Sequence, residues 1–97
     1  RLQWATLRFT PEAAQWVQHE QWHPKQQATL HEDGALTLRV PYADERELLM
    51  DILRHGRHVE VEAPESLRRA VTDEVSAMTG IRRPASGRAI SRPTRWA

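Results

Sequence analysis

A two-layer α+β sandwich is the fold class this sequence predicts, and three observations predict it. Four short segments alternate apolar and polar residues as half-buried strands do; three others repeat apolar residues at helical spacing; and the order is strand, helix, strand, strand, helix, strand, helix. With 97 residues the chain has room for one such domain and too little for two.

The first strand covers residues 2–9, where Ala5, Leu7 and Phe9 share one face and Trp4, Thr6 and Arg8 the other. Thr10-Pro11-Glu12 then starts a helix: a hydroxyl N-cap, a proline at the first helical position and an acid near the positive dipole end. This helix is predicted to turn Ala13, Trp16 and Val17 inward. It is predicted to stop near Trp22, because His23 precedes Pro24 and the proline ring drives its predecessor out of the α region. Residues 25–32 and 35–42 read as two strands joined by Asp33-Gly34, a two-residue signal for a type I′ hairpin. In the second run Leu36, Leu38 and Val40 oppose Thr37 and Arg39. The first run offers only Ala28 and Leu30, which suits a sheet edge.

Asp44 and Glu47 form a capping box ahead of Leu48, Leu49, Ile52 and Leu53, so a second helix is expected over about 45–55, with Gly56 as a left-handed cap. Residues 57–63 set His58, Glu60 and Glu62 against Val59, Val61 and Ala63, a fourth strand. Pro64-Glu65 opens a third helix with Leu67, Ala70, Val71, Val75 and Met78 on its inner face, closed by Gly80.

This order is the split pattern of a ferredoxin-like βαββαβ sandwich with an additional C-terminal helix and a basic tail. Right-handed crossovers place the first and third strands centrally and the second and fourth at the edges. One sheet face carries the first two helices. The other is expected to be open and lined by Trp4, Thr6, Arg8, Gln27, Thr29, Thr37, Arg39, His58 and Glu60. The domain is expected over residues 1–80, and residues 81–97 as an Arg/Pro-rich flexible tail carrying Arg82, Arg83, Arg88, Arg92 and Arg95 with no acid.

The formal charge of +1, from 14 basic and 13 acidic side chains, is a sum of unlike parts. Residues 1–81 carry 9 basic against 13 acidic groups, net −4, while 82–97 carry five arginines, net +5. A mildly acidic folded part suits a module working against protein neighbours, and attraction to nucleic acid is concentrated in the tail. The absence of Cys excludes a disulfide framework, a thiolate zinc site and a cysteine nucleophile, and fits a cytoplasmic setting. No apolar run approaches the ~20 residues of a membrane span, and no segment resembles a secretory signal. Because the first residue is Arg1, the chain is expected to be a piece of a longer one.

His19-Glu20-Gln21-Trp22-His23 fits the H-E-x-x-H pattern of zinc peptidases, in which a helix puts two imidazoles on one face beside a general-base Glu. Pro24 removes His23 from helical geometry, so the match is read as coincidence. His55-Gly56-Arg57-His58 is read as a helix C-cap rather than a metal or phosphate site. Trp22-His23-Pro24 is read as a structural corner or an interface. The open face mixes stacking and cationic groups, Trp4, Arg8, Arg39 and His58, with opposing acids at Glu60 and Glu62; it suits a ligand, a neighbouring domain or plain solvent. The tail arginines are candidate phosphate contacts or a solubilising terminus. No catalytic residue, metal or cofactor is expected.

Several motifs occur together in a fixed order. Leu7-Arg8-Phe9 precedes the first helix and Trp22-His23-Pro24-Lys25-Gln26 follows it. Asp33-Gly34 comes with Leu36-Thr37-Leu38-Arg39-Val40, Glu47-Leu48 with Ile52-Leu53 and Gly56, and Val59-Glu60-Val61 precedes Ala63-Pro64 with Leu67-Arg68. Over roughly residues 5–78 this set resembles the WCX domain, the C-terminal extension of bacterial WYL-domain transcriptional regulators. The resemblance implies a parent chain with an N-terminal winged helix that reads operator DNA, then a WYL domain of Sm-like barrel fold that senses an effector, a nucleic acid in characterised members. It implies that the WCX domain aids homodimerisation and relays the effector's influence. The arginine-rich tail departs from the family's usual end. The leading expectation is a regulatory and assembly module in contact with the WYL domain of the same chain, with Trp4, Arg8, Arg39 and His58 at effector or interdomain contacts. The rival is a module binding single-stranded nucleic acid or a small ligand directly through that face and the tail.

Overall fold

Strand alternation, a proline-started helix and a capping box each produce the element they announce. The computed structural model describes residues 2–80 and contains β1 (Gln3–Phe9), α1 (Pro11–Val17), β2 (Gln27–Leu30), β3 (Leu36–Tyr42), α2 (Glu45–His55), a 3₁₀ turn (Gly56–His58), β4 (Val59–Ala63) and α3 (Glu65–Thr79). The candidate phosphate contacts Arg82, Arg83, Arg88, Arg92 and Arg95 lie outside the described residues. The fold is mixed α+β: one open four-stranded antiparallel sheet in the order β2-β3-β1-β4, with three helices. β1 and β3 are therefore central and β2 and β4 are the edges.

The core lies on one sheet face. Ala5, Leu7 and Phe9 of β1 pair in register with Val40, Leu38 and Leu36 of β3, and all six are buried together with Val61. Ala13, Ala14 and Val17 of α1, Leu48 and Ile52 of α2 and Leu67 of α3 complete the cluster. Six large side chains, Phe9, Leu7, Leu36, Leu38, Leu67 and Val17, are under 2% exposed. At roughly 1.5–3 kcal/mol of transfer free energy each, losing any one is serious for so small a domain.

Helix ends follow their chemistry. The Thr10 hydroxyl accepts from the Ala13 N–H, and Asp44 accepts from the N–H groups of Arg46 and Glu47. α3 ends at Gly80, whose left-handed backbone (φ 76°) serves as cap. Gly56 also has positive φ (58°), but its ψ of −131° leads into the 3₁₀ turn, so it is not the left-handed cap predicted.

Four other expectations need correction. α1 stops at Val17, not near Trp22, and His19 and Glu20 donate to Trp16 and Val17 in tightened final turns. The Gln26 side chain binds the backbone groups that follow, those of Glu20, Trp22 and His23. Trp16, expected inside, is 48% exposed, because the short helix seats Ala13, Ala14 and Val17 instead. The β2–β3 hairpin is not type I′, which needs φ > 0 at Asp33 as well as Gly34; only Gly34 has it (93°). Gly34 N–H donates to His31 O and His31 N–H to Ala35 O, giving a three-residue loop with a bulge at Gly34. Finally, α3 buries Leu67 and partly Val71, while Val75 and Met78 are 44% and 70% exposed. The helix packs beside β4 and α2, and among the described residues little covers the apolar side chains of its second half.

Candidate functional site

The face of the sheet away from the core is assembled by strand alternation alone. Trp4, Thr6 and Arg8 of β1 stand opposite Pro41, Arg39 and Thr37 of β3, with Gln27 and Thr29 of β2 on one flank and Glu60 of β4 on the other; Glu62 falls where the β1–β4 register shifts. Apart from Pro41, its residues on β1 and β3 are half-buried or exposed. Trp4, 38% exposed, stands opposite its buried register partner Pro41, and the Arg39 guanidinium sits 5.2 Å from the indole centroid. Arg39 Nη1 also donates to Gln27 Oε1 at 3.1 Å, so the cation links side chains of three strands.

Arg8 lies further along the same face. Its Nη2 approaches Asp33 Oδ2 at 3.5 Å, and its register partner on β4 is Glu60. Among the described residues, Asp33 and Glu60 stand beside Arg8 while Arg39 is held by Gln27 and Trp4, so the charges on this face are mixed. The structure brings Trp4, Arg8 and Arg39 onto one face as predicted.

His58 is not on that face. Its 3₁₀ turn rotates it away from the β4 alternation and toward the start of α1, where Nδ1 lies 2.9 Å from Thr10 Oγ1 and 3.8 Å from Glu12 Oε1. Thr10 N–H donates to His58 O at 2.9 Å, so backbone and side chain together tie the entry of β4 to the α1 N-cap.

The Trp22-His23-Pro24 corner is built around Gln26. Gln26 Oε1 accepts from Trp22 N–H (2.6 Å) and His23 N–H (3.2 Å), and Nε2 donates to Glu20 O (2.8 Å). His23 Nδ1 accepts from Lys25 N–H at 3.0 Å, which spends that imidazole on the turn. His19 lies beyond the end of α1, so the H-E-x-x-H segment forms no helix, and among the described residues no group of three or more His, Cys, Asp or Glu is placed to hold a metal ion.

Sequence reasoning missed a groove of about 770 Å³ on the helical side, lined by Trp16, Glu20, Trp22, Asp51, His55 and His58 among others. The Trp22 ring stacks on His55 (5.5 Å, 20°), both meet the Phe9 ring edge-on, and Trp16 meets His58 edge-on at 6.3 Å. A signal existed in the last-turn His55 and the corner Trp22, but their meeting depends on tertiary packing between residues 33 positions apart.

The WCX domain family model matches the chain over residues 1–79. No curated protein matches it.

Proposed function

The chain belongs to the WCX domain family, and from that premise we propose that it is a regulatory module of a WYL-type transcriptional regulator, seated against its neighbours by the open face of its sheet. The neighbour on that face in this reading is the WYL domain of the same chain; the full-length protein assembles as a homodimer, and an N-terminal winged helix of the parent chain reads the DNA. We read the β2-β3-β1-β4 order as ferredoxin-like, the module as non-enzymatic and its setting as the cytoplasm.

The observation that carries the proposal is the Trp4–Arg39 pair, held by the hydrogen bond to Gln27 and flanked by Arg8 and Glu60. An exposed indole holding a cation, inside a mixed set of charges, suits a protein surface: the aromatic supplies contact area and the mixed charges supply register. A nucleic-acid effector felt by the WYL domain would then act by changing which arrangement of the two domains is favoured.

Direct binding of single-stranded nucleic acid is the second reading, favoured by the stacking surface of Trp4 beside two arginines and opposed by Glu60. Titrating single-stranded oligonucleotides into the 97-residue chain at two salt concentrations separates the two. Absence of binding is expected. Micromolar binding with a steep salt slope, abolished by Arg8→Ala with Arg39→Ala, would establish the second reading instead. The reading frame upstream tests the first directly: a winged helix followed by a WYL segment is expected, and any other arrangement overturns it.

A further inference from the structure

The two edges of the sheet are treated differently. β4 is closed: α3 packs along it, and Arg68 Nη1 donates to the outward carbonyl of Val61 at 2.8 Å. Among the described residues nothing covers β2 in this way. All four of its residues are exposed, Leu30 to 57%, and the strand contains neither charge nor proline to repel another strand.

The ladder shows which of its groups are free. His31 N–H donates to Ala35 O, so by antiparallel alternation the hydrogen-bonded pairs toward β3 are His31/Ala35, Thr29/Thr37 and Gln27/Arg39. The N–H and C=O groups of Ala28 and Leu30 therefore point away from the sheet. Their side chains lie on the core side, beyond the reach of the helices, while Thr29 and Gln27 lie on the open face.

We infer that this edge pairs with β2 of a second copy about a two-fold axis through Thr29, deepening the assembly part of the function proposed above. In that register Ala28 meets Leu30 of the other copy and Leu30 meets its Ala28, so both outward residues of each strand exchange backbone bonds, four in all. Thr29 faces Thr29 on the open side, and the exposed leucines come together on the core side. In the same antiparallel sense Lys25, in the turn before β2, comes to the end of the other copy's β2 that is followed by Glu32 and Asp33, so each end of the seam brings opposite charges to the same side. Moving the axis to Ala28 shifts the pairing by two residues and leaves Leu30 facing Gln26, so the apolar pairing is lost. The product is one eight-stranded sheet whose open faces are continuous, with the two Trp4–Arg39 pairs on the same side.

The chain has no cysteine, which makes the register directly readable. Thr29→Cys places two thiols across a pair of strands at disulfide distance, whereas Gln27→Cys, two residues along the same face, places them several residue spacings apart. Under mild oxidation Thr29→Cys is expected to give covalent dimer as the main species and Gln27→Cys only monomer. Ala28→Pro, which removes an N–H that the monomer does not use, is expected to keep the fold by circular dichroism and abolish self-association in light scattering across a dilution series. Equal cross-linking of both cysteine variants, or a wild-type chain that stays monomeric at high concentration, overturns the edge pairing; the second result points to a strand from a different domain. Neither touches the open-face reading, which the upstream frame and the oligonucleotide titration decide.

Discussion

Arg39 lies over the ring of Trp4, 5.2 Å from its centroid, although the two residues are not register partners. Trp4 stands opposite Pro41 and Arg39 opposite Thr6, so the contact is a diagonal one across β1 and β3. Trp4→Ala and Arg39→Ala should each cost about 0.5–1 kcal/mol, with a coupling of similar size in the double-mutant cycle measured by chemical denaturation. Arg39→Lys should recover little of it, because an ammonium cannot lie flat on the indole and reach Gln27 Oε1 at once. Additive single effects would show that the pair is not an energetic unit.

Gln26 holds the Trp22-His23-Pro24 corner through three hydrogen bonds to backbone groups. Gln26→Ala leaves two N–H groups and a carbonyl to find water, and should lower stability by roughly 1–2 kcal/mol while loosening the Trp22–His55 stack. Gln26→Glu keeps the acceptor and loses the donor to Glu20 O, so its loss should be smaller. A red shift of tryptophan emission in the alanine variant, and less in the glutamate one, is the readout.

What could be read from the sequence was whatever depends on near neighbours. The alternation of β1 and β3 placed Trp4, Arg8 and Arg39 on one face, and Asp44, Glu47 and Gly80 marked helix ends, since each works within a turn of chain. The failures have the opposite origin. α1 ends early because a side chain nine residues beyond Val17 captures the corner, and His58 leaves its expected face because three residues wind into a 3₁₀ turn before β4 begins. The apolar spacing of α3 looks the same whether or not anything lies over Val75 and Met78.

That last point is measurable. Leu67 is fully buried and ties α3 to the core, so Leu67→Ala should cost about 2–5 kcal/mol. Met78→Ala, at a side chain 70% exposed, should stay within about 0.5 kcal/mol. A large loss at Met78 in the same denaturation series would mean that the second half of α3 is covered in solution.

Gly34 combines a backbone φ of 93° with a tight neighbour: an added Cβ would lie 3.2 Å from the Pro11 Cβ. Gly34→Ala should therefore destabilise by about 1 kcal/mol or more, and the strain falls on both the hairpin bulge and the first turn of α1. Hydrogen exchange should rise at His31 N–H and Gly34 N–H, which close the loop. Unchanged protection there would place the cost elsewhere.

Tyr42 is the only tyrosine, so its titration can be followed alone by phenolate absorbance. Burial raises its pKa above the ordinary 10.0, and the nearby Glu45 carboxylate adds to the rise. The unfolded phenol ionises first as the solution becomes alkaline, so the folded state then binds the extra proton. Stability is complete below pH 10.0 and falls as pH climbs from there through the raised folded value. Tyr42→Phe removes that slope and, with it, the hydrogen bond that Tyr42 donates to Gln3 Oε1 at 3.2 Å, at a cost of about 0.5–1.5 kcal/mol near neutrality. The variant should thus begin less stable than the parent and lose less on going alkaline. Parallel stability curves for the two proteins would show that the Tyr42 phenol ionises as readily in the folded chain as in the unfolded one.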